Sequence, residues 1–431
     1  MAMHGGWLVG GWILMVVIVK QCRSDYTSNL KLVNLVYRHG DRSPIDVYKG
    51  DPNGKDNWPD GMGWLSKIGM NQHYRLGQWL RDRYNGFLSS DYIHTEIVVT
   101  SSDEDRCLMS AASNLAGLYP PTGDQVWNSN ITWQPIPIHT KPKYEDNRIN
   151  MGETCPSYTE QYDKDMRSPS IAAIDKANKE FYQFLSNKTG WGPLNITSIW
   201  KISDLFVCEK AHGMNWTTWA NETWKNEKIT VYEKLRYLDD IAFRLLFSGP
   251  KSRLKGGPLL KEIIENMWHR LKGETQPKLY MHSGHDTTVA ALLTALGLYD
   301  HGKSPPYAAM VAVELRENTT AQPHNYFVNV WYKNTTETDT AYKLTIPGCT
   351  TDCPYDTFLN LTKDKIPTDW NKECGLADNS GKAKKNILNM PTIVSIVLGS
   401  LLLVSLIALV VTCVRARKGN GGFRKFEDFN T

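Results

Sequence analysis

Three segments of this 431-residue chain share one layout, an apolar run that stops at a cluster of polar residues. Leu30 to Tyr37 ends at Arg38-His39. Glu96 to Thr100 ends at Ser101-Ser102-Asp103-Glu104-Asp105-Arg106, followed by a helical stretch to Leu118. Lys278 to His282 ends at Ser283-Gly284-His285-Asp286, followed by a helix-like Thr287 to Leu296 with Gly297 as its stop. Short buried strands alternating with helices define an open α/β sheet, and such sheets bind ligands outside the carboxyl ends of their strands. The layout therefore predicts one pocket that gathers Arg38, His39, Arg42, Arg106, His285 and Asp286.

Those residue types specify a chemistry. Arg38 and Arg42 flank His39, and guanidinium stays charged at any biological pH while its planar fork matches phosphate oxygens. Nearby cations also favour the neutral, nucleophilic imidazole. A phosphomonoester needs its oxygens neutralised, a nucleophile in line and a proton for the leaving alkoxide. His39 fits the nucleophile, Arg38, Arg42, Arg106 and His285 fit the phosphate-binding groups, and Asp286 fits the proton donor. An Asp near its usual pKa of about 3.9 donates best at low pH, which predicts acidic activity. No metal and no cofactor is expected, because three guanidiniums supply the positive charge. Read singly, the Arg-His-Gly tripeptide is a weak signal, Arg106 is an ordinary helix-surface cation and His285-Asp286 an ordinary helix start. His73 shares a helical face with Leu76 and Leu80 and reads as packing.

The flanks place the chain in the secretory route. An apolar run from Trp7 to Val19 resembles a signal peptide, here residues 1–24. Ile393 to Val414 carries no charge and is long enough to cross a membrane as a helix. Arg415, Arg417 and Lys418 follow it, which puts a 415–431 tail on the cytoplasmic side. Residues 25–375 then form a lumenal body, with 376–392 as linker. Eight N-x-Ser/Thr sequons, at Asn130, Asn187, Asn195, Asn215, Asn221, Asn318, Asn334 and Asn360, all fall in that body. So do Cys107, Cys155, Cys208, Cys349, Cys353 and Cys374, for which an oxidising compartment favours disulfides. Cys349 and Cys353 are close enough in sequence to close a small loop, although six cysteines allow fifteen pairings. Residues of about 145–265 are rich in helix formers and Trp and suit an inserted helical subdomain. With 41% hydrophobic residues the body can bury a large core, and a net charge of +4 is too mild for a nucleic-acid partner.

Tyr37-Arg38-His39-Gly40-Asp41-Arg42-Ser43-Pro44, Asp105-Arg106 with Leu108-Met109-Ser110-Ala111, and Ser283-Gly284-His285-Asp286-Thr287-Thr288 resemble the three signatures of the histidine acid phosphatases. The likeness continues through Trp58-Pro59-Asp60-Gly61-Met62-Gly63, Asn114 to Pro121 and Trp133 to Thr140. Within that family it points to the membrane-anchored lysosomal and prostatic acid phosphatases. The resemblance implies an α/β fold, a phosphoglycerate mutase-like mixed sheet flanked by helices, with an inserted smaller α-helical domain and here one C-terminal transmembrane helix. It gives the six pocket residues the roles stated above and implies the disulfides Cys155–Cys374 and Cys349–Cys353. Cys208 lacks its family partner, because the matching position is Met310. Cys107, where relatives carry Thr, is a substitute partner, or both thiols are free. A lysosomal membrane or cell-surface location and a homodimer follow by the same resemblance. The competing readings are a mutase-like phosphotransferase and a membrane-anchored recognition glycoprotein with a silent pocket.

Overall fold

The computed structural model of the chain describes residues 27–376, apart from 151, 153, 275–276, 300–301 and 321–324. The expected signal peptide, the 393–414 span and the tail lie outside the described residues. Among those described, no helix is long and apolar enough to cross a membrane. The chain divides into two units at residues 373 and 374, and the first unit holds the sheet and its helices.

Its centre is a mixed sheet built on β1 (Leu30–Arg38), β2 (Ile97–Ser102), β3 (His139–Lys141) and β4 (Leu279–Gly284). Beyond them lie β5 (Met310–Asn318), β6 (Asn325–Lys333), β7 (Tyr342–Leu344) and β8 (Cys353–Pro354). The order is β3-β2-β4-β1-β5-β6-β7, with β8 paired to β6. β3, β2, β4 and β1 run parallel, while β5 is antiparallel to β1. Register puts Arg38 beside Gly284 and Ser101 beside Ser283, so three strands end together at one edge.

β1 is buried on both faces, as an almost continuous apolar run demands. Alternation sends Val33, Leu35 and Tyr37 to one side, where α1 (Lys67–Arg83) and α2 (Asp105–Leu118) cover them with Leu76, Leu80, Leu115 and Leu118. Leu32 and Val36 face the other side, against Leu260 and Ile263 of α8 (Ser252–Leu271) and Val289 and Leu292 of α9 (Asp286–Ala295). Each such fully buried aliphatic side chain contributes about 1.5–3 kcal/mol.

Between these layers in sequence come α3 (Pro156–Met166), α4 (Pro169–Ala177), α5 (Lys179–Thr189), α6 (Trp200–Ala211) and α7 (Val231–Leu245). Helices α4 to α7 share a separate aromatic-rich core of Phe181, Phe206, Trp219, Trp224 and Leu235, to which Tyr48 of the β1–α1 connection also belongs. The helical stretch expected over about 145–265 extends into α8, but α8 packs on the sheet through Leu259, Leu260, Ile263 and Met267. Its apolar stripe, rather than its helical propensity, decides which layer it joins. Later in the chain, α10 (Tyr355–Thr362) adds Phe358 to the sheet core, and α11 (Trp370–Glu373) closes the unit.

Disulfides bind Cys349 to Cys353, whose Cα atoms lie 5.5 Å apart, and hold Cys155 and Cys374 oxidised. Cys107 and Cys208 do not pair; both are buried free thiols. Of the two alternatives left open for Cys208, pairing with Cys107 is ruled out and the free thiols are found, and their surroundings explain why. Cys107 Sγ packs 3.7 Å from His285 Nε2, whereas Cys208 Sγ lies 3.3 Å from the Tyr307 hydroxyl and 3.7 Å from Arg42. Each thiol thus has its own polar neighbours at a different part of the pocket.

The turn after β1 sits directly on the first turn of α1. A Cβ on Gly40 would lie 2.4 Å from the Gly69 carbonyl oxygen, and one on Gly69 would lie 2.2 Å from that of Asp41. Neither backbone can yield without moving the other. Gly69→Ala is therefore expected to cost about 1–3 kcal/mol by overpacking, read as a lower urea midpoint with an unchanged m-value.

Candidate active site

The end of β1 carries the first two groups. The Arg38 amide donates to Ala309 and the His39 amide to Gly284, which continues the sheet into the motif and fixes both side chains at its edge. His39 is 2% exposed. Its Nδ1 lies 2.8 Å from the Gly40 carbonyl oxygen. A carbonyl only accepts, so Nδ1 carries the proton and Nε2 keeps its lone pair. Burial, reinforced by Arg38, Arg42, His285 and Arg106, holds this imidazole well below its ordinary pKa. Burial and the surrounding cations thus favour the neutral, nucleophilic form of His39.

Arg38 Nη1 donates to the Pro305 carbonyl (2.6 Å), Nη2 lies 3.1 Å from Asp286 Oδ2, and the guanidinium stacks 4.2 Å above the Tyr307 ring. Arg42 makes two bonds to Asp204 of α6, at 3.1 and 2.8 Å. Arg106, in the first turn of α2, pairs with Glu104 at 3.0 Å. His285 lies just before α9 at the end of β4, with Nε2 3.0 Å from the Ser102 hydroxyl and its ring 5.6 Å from that of His39. Burial and then Arg106 hold the pKa of His285 down, at about 4.

Asp286 opens α9, where the helix dipole favours a carboxylate. One oxygen accepts the Thr287 amide and the other the Ser304 hydroxyl. Burial pushes its pKa up, but Arg38, His285 and the Thr287 amide outweigh that, and the carboxyl is held below its usual range. All six residues expected from the sequence converge here.

A cavity of about 630 Å³ opens beside Arg38, Arg42 and Asp286 and is walled by Trp200, Tyr232 and Phe243 of the helical body. Several groups in it carry no sequence signal. Asp204 orients Arg42, Ser304 holds Asp286 and Tyr307 supports Arg38, yet none sits in a recognisable motif. Only Glu104, two residues from Arg106, was within reach of a spacing argument. Asp41, the fifth residue of the motif, accepts the Ser66 hydroxyl (2.5 Å) and lies 2.6 Å from His212 Nε2, tying the turn to both the start of α1 and the end of α6.

His73 is fully buried on α1, with its ring 5.2 Å from that of Tyr37 and Nε2 3.0 Å from the Arg38 carbonyl. It packs, and it also holds the strand end that carries the site.

The chain matches the family described as the Histidine phosphatase superfamily (branch 2) over residues 29–333. It is 38% identical to the lysosomal acid phosphatase of Homo sapiens over 406 residues, 93% of this chain and 92% of that one. It is likewise 38% identical to the prostatic acid phosphatase of Homo sapiens over 358 residues, 82% of this chain and 89% of the other. Among solved structures, the phytase from Citrobacter braakii superposes with a TM-score of 0.59 at 18% identity, covering 80% of this chain and 98% of that one, a likeness of fold alone. The chain belongs to the histidine phosphatase superfamily, branch 2. Its homologues are acid phosphatases of that family, which act through a phosphohistidine intermediate.

His39, His73 and His285 are all buried with pKa values below the ordinary 6.5, that of His73 at about 4 because of burial. The unfolded chain therefore binds more protons than the folded one as pH falls from about 6.5 towards 4, and stability drops through that window. His73→Gln keeps a donor for the Arg38 carbonyl but removes one proton from the linkage. Urea unfolding of the ligand-free protein between about pH 7.5 and 4.5 should show a ΔG slope lower by up to about 1.4 kcal/mol per pH unit in the variant.

Proposed function

We propose that this chain is a metal-independent acid phosphatase in which His39 is the nucleophile and Asp286 the proton donor. The observation that carries the assignment is the Nδ1 contact of His39 with the Gly40 carbonyl, which leaves the Nε2 lone pair of an uncharged imidazole among three guanidiniums. In the first step Arg38, Arg42, Arg106 and His285 hold the nonbridging oxygens of a phosphomonoester. A bond forms from His39 Nε2 to phosphorus as the bond to the ester oxygen breaks, and Asp286 gives that oxygen its proton. Water then attacks the phosphohistidine, Asp286 accepts the proton, and the phosphorus–nitrogen bond breaks.

Although burial opposes it, Arg38 and the Thr287 amide hold the Asp286 carboxyl below its usual range, so it has to gain a proton before it can act as an acid. A phosphate dianion engaging Arg38 both removes the partner that depresses the carboxyl and adds repulsion, which raises its pKa. Low pH and substrate binding thus work in the same direction.

The same reading assigns the body to the lumenal or extracellular side of a membrane, anchored by residues 393–414, in the lysosome or at the cell surface. The relatives called lysosomal support it. So do the disulfides, and all eight sequon asparagines are exposed and open to glycosylation. Pairing of Cys155 with Cys374, a helical insert that walls the cavity, and a homodimer belong to the same proposal. A nucleic-acid partner does not.

Full-length protein in mild detergent, with chelator throughout, should release phosphate from an aryl phosphate fastest below neutral pH. His39→Ala should lower kcat by at least about 10³-fold. Asp286→Asn should lower it by about 10²–10⁴-fold for an alkyl phosphate and much less for a nitrophenyl ester, whose leaving group needs no proton. Activity that survives His39→Ala would sink the mechanism.

A further inference from the structure

Each clamp guanidinium already faces a carboxylate: Arg38 faces Asp286 at 3.1 Å, Arg42 faces Asp204 at 2.8 Å and Arg106 faces Glu104 at 3.0 Å. Two of these carboxylates have evident duties. Asp286 moves the proton, and Asp204 fixes Arg42 through two bonds while also accepting the Ile45 amide. Glu104 has neither duty. It touches Arg106 through one oxygen, makes no side-chain cap for α2, and its side chain is 26% exposed. Its other oxygen is taken by Lys143, which follows β3, at 2.6 Å.

We propose that Glu104 is a specificity-determining residue that sets which protonation state of the substrate phosphate the pocket accepts. By sharing Arg106 it subtracts positive charge from the clamp, so the singly charged phosphate is favoured over the doubly charged one. Lys143 opposes it by drawing the carboxylate away from Arg106. The inference rests on the phosphatase reading of this site.

The groups that face Glu104 are Arg106 and Cys107 of α2, Lys143, and His285 at the start of α9. Burial pushes the Cys107 thiol up to about 12, so it brings no charge, and the positive field on Glu104 comes from Lys143 and Arg106 with a smaller share from His285. Although burial opposes ionisation of Glu104, the bond from Lys143 and the charge of Arg106 prevail and hold its carboxyl below the usual range. Glu104 thus stays charged while the substrate titrates, since a phosphomonoester loses its second proton near pH 6, about midway through the working range. Above that pH the incoming dianion meets the full repulsion of Glu104 and has only a share of Arg106.

The test uses the full chain in mild detergent and two probes. One is the Kd of inorganic phosphate by titration calorimetry at about pH 5 and about pH 8, where it is mainly mono- and dianion. The other is kcat/KM for an aryl phosphate across the same range. Glu104→Gln keeps the shape and removes the charge. It should tighten phosphate binding at the higher pH about three- to tenfold more than at the lower one, and extend the alkaline limb of kcat/KM upward by a matching factor. Lys143→Ala, at an exposed side chain, should move both readings the opposite way. A Kd ratio between the two pH values that is unchanged in Glu104→Gln, or that moves in the same direction in both variants, would overturn the proposal and leave Glu104 a merely structural partner of Arg106. Wild-type protein that binds phosphate but turns nothing over would refute the catalytic reading instead, while the Kd ratios would still judge Glu104.

Discussion

A neutral imidazole buried among three guanidiniums is the arrangement on which the rest of this structure depends. Like charges crowded into a desolvated space repel strongly, and the pocket persists because each guanidinium is matched by a carboxylate. The matching carboxylates come from separate parts of the chain: Asp286 from the start of α9, Asp204 from α6 and Glu104 from the turn before α2. With the arginines held in place, burial and their charge together favour the uncharged form of His39, and the Gly40 carbonyl leaves its reactive nitrogen free. It also means that phosphate must compete for every guanidinium it binds.

The fold supplies what that balance requires. Parallel pairing of β1, β2 and β4 ends three strands together, so residues far apart in sequence meet without long connections. The close contact of Gly40 with Gly69 then presses the motif turn onto α1, whose His73 and Ser66 hold the Arg38 carbonyl and the Asp41 carboxylate. From the other side α6 reaches the same turn with Asp204 and the nearby His212. The motif is therefore clamped between the sheet layer and the helical body, and the cavity for the substrate lies where the two approach.

Much of this was legible in the residues. Strand ends, the helices after them and all six polar residues of the pocket follow from apolar periodicity and from local clusters such as Arg38-His39-Gly40 and His285-Asp286. The expected strand over Glu96 to Thr100 is Ile97–Ser102 in the structure, and the helix over Thr287 to Leu296 is Asp286–Ala295. Other features were beyond reach. Cys107 was a substitute partner for Cys208 only through the resemblance, because the family's partner position is Met310 here, yet the two sulfurs pack on different partners around the pocket. The sheet-facing role of α8 was hidden because an apolar helical stripe does not name the layer that buries it.

The sequence by itself determined the chemistry and the edge of the sheet at which it is placed. Apolar runs that end in Arg, His and Asp form strands that deliver those groups to one edge, because burial fixes the strands and polarity fixes their ends. Tertiary structure decided the electrostatic state of those groups. Whether His39 is neutral, and which carboxylates restrain Arg38 and Arg42, depend on distances of about 3 Å between segments more than a hundred residues apart. Coulomb energies and hydrogen bonds vary steeply at that range, and no local pattern encodes them.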